Sequence, residues 1–222
     1  MTDVSSPKSA NSGTDISALL RLPIEYWKQT VAVLAAIVVI AGGYALFTLY
    51  QKSQSAKAEQ ALSELTMQKT GTELVDALQK MATTAPSSVR AAVNLELAKA
   101  AQTSGDFAKA ADAWEAVAKD APESMRIIAR LGQATALTQA GQNDKALAVL
   151  EALKANAPKE FQMTVDRQLA VTAEAAGQWQ KALDAYNRMK ADGSLQNPGY
   201  IDARIAAVKA KADAAATPKT NG

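Results

Sequence analysis

Apolar residues recur at steps of three and four through most of the chain, which is the spacing of one face of an α-helix. Leu74, Leu78 and Met81 follow this spacing, and Ile201, Ile205 and Val208 repeat it near the C terminus. Outside one apolar block, the chain has no alternation of β-branched and polar residues of the kind that predicts strands. Together, Ala, Leu, Lys, Gln and Glu make up much of the chain, and these residues are strong helix formers. The pattern predicts an all-α fold.

The apolar block is a candidate membrane span. Residues 29–51 carry no charge, and residues 31–50 include ten of the types Val, Leu, Ile and Phe. These favour insertion by roughly 3 to 6 kcal/mol, and twenty helical residues span about 30 Å, the thickness of the hydrocarbon core. A signal peptide would have a shorter apolar region and less chain before it. We therefore expect an amphipathic lead-in and one transmembrane helix within residues 19–51.

Polar tails flank the predicted folded parts. Residues 1–18 are rich in Ser, Thr, Asn and Asp and cannot bury enough surface to fold alone, and residues 213–222 are similar. We expect both tails to be disordered. The basic residues before and after the apolar block balance, so charge leaves the orientation of the span open.

Residues 52–212 contain a repeat. Gly105, Gly141 and Gly177 are spaced by 36 residues. Prolines with the same spacing, Pro86, Pro122 and Pro158, each follow one helical pattern and precede the next. A fixed period in this range indicates a solenoid of stacked helix pairs. With a degenerate first unit ending near Pro86, the spacing predicts about four helix hairpins and a C-terminal capping helix.

Other repeated positions predict how each hairpin packs. A small residue is expected where its two helices cross, and a bulky one a turn later: Ala110, Ala146 and Ala182, then Trp114, Leu150 and Tyr186. The first full unit, from Leu97-Ala98 through Gly105, Phe107, Ala110, Trp114 and Val117 to Pro122, resembles the tetratricopeptide repeat. Gln133 departs from that pattern where Leu is usual, and the period exceeds the usual 34 residues.

The layout of the whole chain resembles the ancillary SecYEG translocon subunit family. One apolar span, an alanine-rich polar helix at residues 53–65 and degenerate repeats containing Leu95-Glu96-Leu97-Ala98 carry this resemblance. It implies a single-pass protein of the bacterial inner membrane with its C-terminal domain in the periplasm. Its implied partners are translocon subunits and a membrane-anchored periplasmic chaperone.

Composition excludes several classes of chemistry. The chain has no cysteine and no histidine, which removes disulfides, thiolate nucleophiles, the usual zinc sites and imidazole catalysis. A formal net charge of +2 without a Lys/Arg cluster gives no electrostatic footprint for nucleic acid. There is no glycine-rich phosphate loop. We expect no enzyme activity, no cofactor, no metal and no small-molecule substrate.

The candidate binding site is the concave face, which the first helix of each hairpin is expected to line. By register, partner-binding side chains on it are Lys99, Gln102, Thr135, Thr138, Arg167, Val171 and Glu174. They are mixed and mostly neutral, which fits a folded partner domain or an extended apolar segment; a merely solvated groove is the alternative. The functional hypothesis is a membrane-anchored protein-interaction scaffold at the Sec translocon. The alternative is an assembly factor of an envelope or cell-division complex that self-associates through its repeats.

Overall fold

A computed structural model describes residues 27–192 and 198–216, with side-chain surroundings from residue 37 onward. Over these residues the protein consists of nine helices and no strand, which confirms the predicted all-α class. The helices are α1 (Trp27–Gln68), α2 (Gly71–Thr84), α3 (Ser87–Thr103), α4 (Phe107–Asp120), α5 (Glu123–Gln139), α6 (Asn143–Asn156), α7 (Lys159–Ala175), α8 (Trp179–Asp192) and α9 (Pro198–Ala216).

The chain divides into two compact units, Met1–Lys52 and Ser53–Gly222. The predicted N-terminal tail and lead-in, residues 1–26, and the last residues, 217–222, lie outside the described residues. The predicted span at residues 29–51 also begins before the first described side chain. Within the described part of the chain, no helix combines the length and the apolar character needed to cross a membrane.

Each full repeat in the second unit is a hairpin with the same dimensions. Its first helix has 17 residues and its second has 14. Pro86, Pro122 and Pro158 stand immediately before first helices with φ of −53°, −54° and −55°, a value that the proline ring imposes. The connections between consecutive helices are short. The two residues by which the 36-residue period exceeds the usual 34 therefore lie in the helices.

The turn inside each hairpin depends on glycine. Gly105, Gly141 and Gly177 have φ of 77°, 73° and 68°, values that a side chain disfavours. The backbone amide of Asp106 donates to the carbonyl of Ala101 at 2.9 Å, and that of Gly105 donates to Gln102 at 3.1 Å. This pair of bonds is the Schellman arrangement, which satisfies the last carbonyls of the first helix.

Alanine lets the two helices of a hairpin approach closely. The predicted crossing residues Ala110, Ala146 and Ala182 are fully buried, as are Ala98, Ala134 and Ala170 on the first helices. The distance between packed helix axes depends on the side chains at the crossing, so methyl groups permit a short one. The packing roles assigned to the three repeated alanines are confirmed.

Neighbouring hairpins are joined by an aromatic residue against a glycine. Trp114 of α4 lies on Gly132 of α5, where a Cβ atom would come within 2.6 Å of the indole ring. Any side chain at position 132 would displace this ring. The interface between the first and second full repeats therefore requires glycine at this position.

The ends of the solenoid are covered differently. At the N-terminal end, Ala58 and Leu62 of α1 pack against a cluster that contains Leu78. At the C-terminal end, α9 buries Ile201 and Val208 against the last hairpin. This is the predicted capping helix, although it continues to Ala216, so the tail boundary expected at residue 213 was placed too early.

We expect Ala146→Trp to unfold the second unit of the chain. The Ala146 side chain is fully buried at a helix crossing, and overpacking of this kind costs about 3 kcal/mol or more. The measurement is urea denaturation followed by circular dichroism. Lys145→Ala is the matched control, since Lys145 is exposed and its Nζ atom donates to Gln142 of its own turn; its effect should stay within about 0.5 kcal/mol. Equal stability of the two variants would contradict the packing role of Ala146.

Candidate protein-interaction surface

One predicted row of side chains remains accessible on the first helices. Lys99, Thr135 and Val171 occupy equivalent positions of α3, α5 and α7; Lys99 and Val171 are exposed and Thr135 is half-buried. The Lys99 Nζ atom donates to Glu96 at 2.8 Å on the same helix, a surface bond that contributes little stability. Lys99 and Val171 can reach a partner, whereas the Thr135 hydroxyl donates to the Leu131 carbonyl at 2.9 Å and offers chiefly its methyl group.

Arg167 extends this accessible set. It is exposed on α7, and no ion pair within 4 Å joins it to another described residue. Ile128 and Met125 on α5 are 52% and 40% exposed and Val171 is 47% exposed, so three large apolar side chains also lie open on the described first helices. We call Lys99, Thr135, Arg167 and Val171 the first-helix surface.

A second row of predicted binding residues, Gln102, Thr138 and Glu174, forms hydrogen bonds within the fold. Gln102 accepts a hydrogen bond from the indole nitrogen of Trp114 at 3.2 Å. The Thr138 hydroxyl donates to the carbonyl of Ala134 at 2.9 Å and lies 3.0 Å from the Thr172 hydroxyl. Their polar atoms already have partners in the fold, so these side chains orient helices and offer little free hydrogen-bonding capacity.

Glu174 is also held inside the protein. Both of its carboxylate oxygens accept from Nη2 of Arg204 at 2.5 Å, and one accepts from the Tyr186 hydroxyl at 2.7 Å. Only 10% of its side chain is exposed. The helical register of α7 predicted that Glu174 lies on the binding face. It gave no indication that Arg204 of α9 would pair with this carboxylate. Its carboxylate therefore fastens the capping helix to the last hairpin.

Protonation follows from these contacts. Burial raises the pKa of Tyr186, and its hydrogen bond to Glu174 raises that pKa further. Hydrogen bonds from Tyr186 and Glu174 raise the pKa of Arg204, which keeps the guanidinium charged. At neutral pH Tyr186 is therefore a neutral phenol and Arg204 a cation, and both can donate to Glu174 as the hydrogen bonds require.

A buried carboxylate that the sequence analysis did not identify lies on α7. Asp166 is 5% exposed and accepts from Lys154 Nζ of α6 at 2.5 Å and from Arg188 Nε of α8 at 2.9 Å. One residue thus connects three consecutive helices. The available signal was weak, because an aspartate in a helix is ordinarily a solvated residue and its partners lie in other parts of the chain.

Gln133, the departure from the tetratricopeptide pattern, is buried with its amide satisfied. Its oxygen accepts from Arg130 Nη1 at 2.8 Å, and its nitrogen donates to Glu115 at 3.3 Å. The hydrogen bond from Lys119 lowers the pKa of Glu115, and the charge of Arg130 lowers it further. A buried polar group is tolerated when it is hydrogen-bonded, which explains how glutamine replaces leucine here.

Two open grooves lie outside the first-helix surface. The larger, of about 940 Å³, is enclosed by α5, α6 and the start of α7. The smaller, of about 580 Å³, is enclosed by α2, α3 and α4. No group of three or more carboxylates suited to a metal ion occurs among the residues that the structure describes.

We expect Arg204→Ala to loosen the capping helix. It would leave the nearly buried Glu174 carboxylate without its cation, and losing a hydrogen bond to a charged group costs about 2 kcal/mol. Hydrogen exchange of α9 and urea denaturation measure the effect. Asp202→Ala is the control, because it breaks an exposed pair between α9 and Lys190 of α8 and should cost under about 1 kcal/mol. Unchanged exchange in Arg204→Ala would show that the cap does not depend on this pair.

Stability should also decrease at alkaline pH through Tyr186. Its pKa is raised in the folded protein, so above the ordinary tyrosine pKa of about 10 the unfolded chain loses this proton first. The contribution is therefore complete below about pH 10 and is lost as pH rises through the folded pKa. Urea titrations from about pH 8 to pH 11 should show a steeper decline for the wild-type protein than for Tyr186→Phe. Parallel declines would contradict this role.

Comparison with known proteins agrees with the helix-pair architecture. A family model for the tetratricopeptide repeat-like domain matches residues 24–216. No curated protein matches the chain significantly. A matching crystal structure, a putative kinesin light chain of Podosopora anserina described as having nearly identical TPR-like repeats, has 21% identity and a TM-score of 0.44. That alignment covers 72% of this chain and 95% of the other.

Repeats of this kind typically build extended surfaces for protein partners rather than catalytic pockets. The family match spans most of the chain and includes all the hairpins described above. The chain belongs to the tetratricopeptide repeat-like domain family.

Proposed function

We propose that the protein is a scaffold that binds partner proteins through its first-helix surface. The observation that carries this proposal is the exposure of Val171 one turn from Arg167 on α7, together with the exposure of Ile128 on α5. Large apolar side chains beside a cation are a common composition for a protein interface. The surface fits a folded partner domain or an extended apolar segment.

We further propose that the scaffold is anchored in the bacterial inner membrane by residues 29–51, with the repeats in the periplasm. The support is the uncharged block in the sequence together with the large apolar side chains between Ile37 and Tyr50, which are exposed in the first unit. Such exposure is favourable where lipid replaces water. The resemblance to ancillary SecYEG translocon subunits suggests translocon subunits and a membrane-anchored chaperone as partners.

The test is crosslinking and co-purification of the full chain in mild detergent. Translocon subunits or a periplasmic chaperone should co-purify, and Lys99→Glu combined with Arg167→Glu should reduce their crosslinking severalfold by reversing two charges of the surface. Lys209→Glu is the matched control, because Lys209 is an exposed lysine on α9 and is not part of the first-helix surface. It should leave the yield unchanged.

Two results would overturn parts of the proposal. Full crosslinking by the Lys99→Glu, Arg167→Glu variant would exclude the first-helix surface as the binding site. Protease digestion of the repeats in intact inverted inner-membrane vesicles would place them in the cytoplasm and exclude periplasmic partners. Recovery of the chain alone, as a self-associated complex, would instead favour the assembly-factor alternative.

A further inference from the structure

The larger groove has an apolar floor. Ile127 of α5, Val149 and Leu153 of α6 and Phe161 of α7 line it, and all four are half-buried. Its volume of about 940 Å³ is large enough for side chains of a bound segment. A partner that placed an apolar side chain there would remove both surfaces from water, which favours binding.

The α6 wall of this groove differs from the corresponding walls of the neighbouring hairpins. Its residues are Ala148, Ala152 and Asn156. At the equivalent positions, 36 residues earlier and later, stand Asp112, Ala116 and Asp120 on α4, and Asp184, Arg188 and Asp192 on α8. Two carboxylates are thus present at these positions on each neighbouring wall, and the three wall positions of α6 have none.

The missing carboxylates leave arginines of this groove without anionic partners. In the preceding repeat, Arg90 lies 3.9 Å from the carboxylate of Asp120. In the following repeat, Arg188 donates to Asp166 at 2.9 Å. Arg126 and Arg130, which line the middle groove, form no ion pair with any described residue, and Arg130 donates to the neutral Gln133 at 2.8 Å.

Acidic residues near the groove do not neutralise this pair of arginines. Glu123 and Glu160 lie on the rim in the first turns of α5 and α7, where the positive end of the helix dipole stabilises a carboxylate. Glu115 lies beyond Gln133 and is paired with Lys119 at 2.8 Å; the charge of Arg130 also acts on it, but the two form no direct ion pair. Arg126 and Arg130, four residues apart, share one face of α5. They place two cations beside the apolar floor.

We propose that this groove binds an acidic, apolar peptide segment of a partner protein. A large apolar side chain occupies the floor, and carboxylates of the segment pair with Arg126 and Arg130, supplying from outside the anions that the neighbouring hairpins carry themselves. Arginine binds carboxylates in a bidentate geometry, which fixes the direction of the segment. The inference rests on the proposed scaffold function and adds a second docking site outside the first-helix surface.

The experiment is selection of a random peptide library displayed on phage against the purified full chain. Recovered peptides should be enriched in Asp or Glu next to Leu, Phe or Trp. Labelled copies of them are then measured by fluorescence anisotropy. Replacing their carboxylates with the matching amides should weaken binding about tenfold or more, the loss expected for one charge-assisted hydrogen bond.

The sequences of the neighbouring repeats suggest a variant that tests the groove proposal. Asn156→Asp combined with Ala148→Asp gives α6 the acids found at the equivalent positions of α4 and α8, so the fold is expected to accept them. The new carboxylates should pair with Arg126 and compete with the peptide, weakening it about fivefold or more. A second variant, Arg126→Gln with Arg130→Gln, should have the same effect, and thermal midpoints confirm folding. Arg167→Glu is the control on the first-helix surface and should retain peptide binding.

Each contrary result has a distinct meaning. Peptides without acidic enrichment, or unaffected by both groove variants, overturn the groove proposal. Peptides lost in Arg167→Glu alone bind the first-helix surface, which overturns the groove and retains the scaffold. If no peptide is recovered while partner proteins co-purify with the chain, the groove proposal is likewise overturned and the scaffold proposal is retained. If neither peptides nor partner proteins are recovered, the scaffold proposal is rejected too. The chain could also self-associate, and the variant with Asn156→Asp and Ala148→Asp could abolish this self-association. A second copy of the chain would then be the occupant of the groove, and the proposal of a partner peptide would be wrong.

Discussion

The close crossing of two helices over alanine is the constraint on which the rest of the solenoid depends. Ala98 and Ala110 are both fully buried in the first full hairpin, and the corresponding alanines are fully buried in the next two. The crossing requires a tight turn nearby, and Gly105 provides it with a positive φ. With hairpins of constant geometry, stacking can continue from repeat to repeat and bury one elongated core.

This arrangement separates the residues that build the fold from those that can bind. Buried positions are mostly alanine, valine and leucine, while the exposed side of each first helix varies from Lys99 to Thr135 to Val171. Variation is tolerated there because substitutions at accessible positions outside the core usually change stability little. A regular scaffold can therefore carry an irregular surface, and both binding proposals concern positions at which the repeats differ.

Polar residues inside the solenoid connect elements that are distant in sequence. Asp166 joins α6, α7 and α8, and Glu174 receives Arg204 from the capping helix. A buried carboxylate without a cation is strongly unfavourable, so these pairs favour one arrangement of the last hairpin and its cap. The helical register of α7 predicted that Glu174 lies on the partner surface. That prediction did not take into account α9, a later helix whose Arg204 pairs with Glu174.

The sequence by itself determined the helices, their glycine turns, the proline starts and the packing of Ala110, Ala146 and Ala182, because all of these depend on local dihedral preferences and a strict period. Only the tertiary structure decided which polar side chains remained available. Gln102, Thr138 and Glu174 were enclosed by partners at long sequence separation. Arg126 and Arg130, which local pattern did not distinguish, were left beside an apolar groove. Pairing across helices is a property of the packed chain, and a single helical period does not encode it.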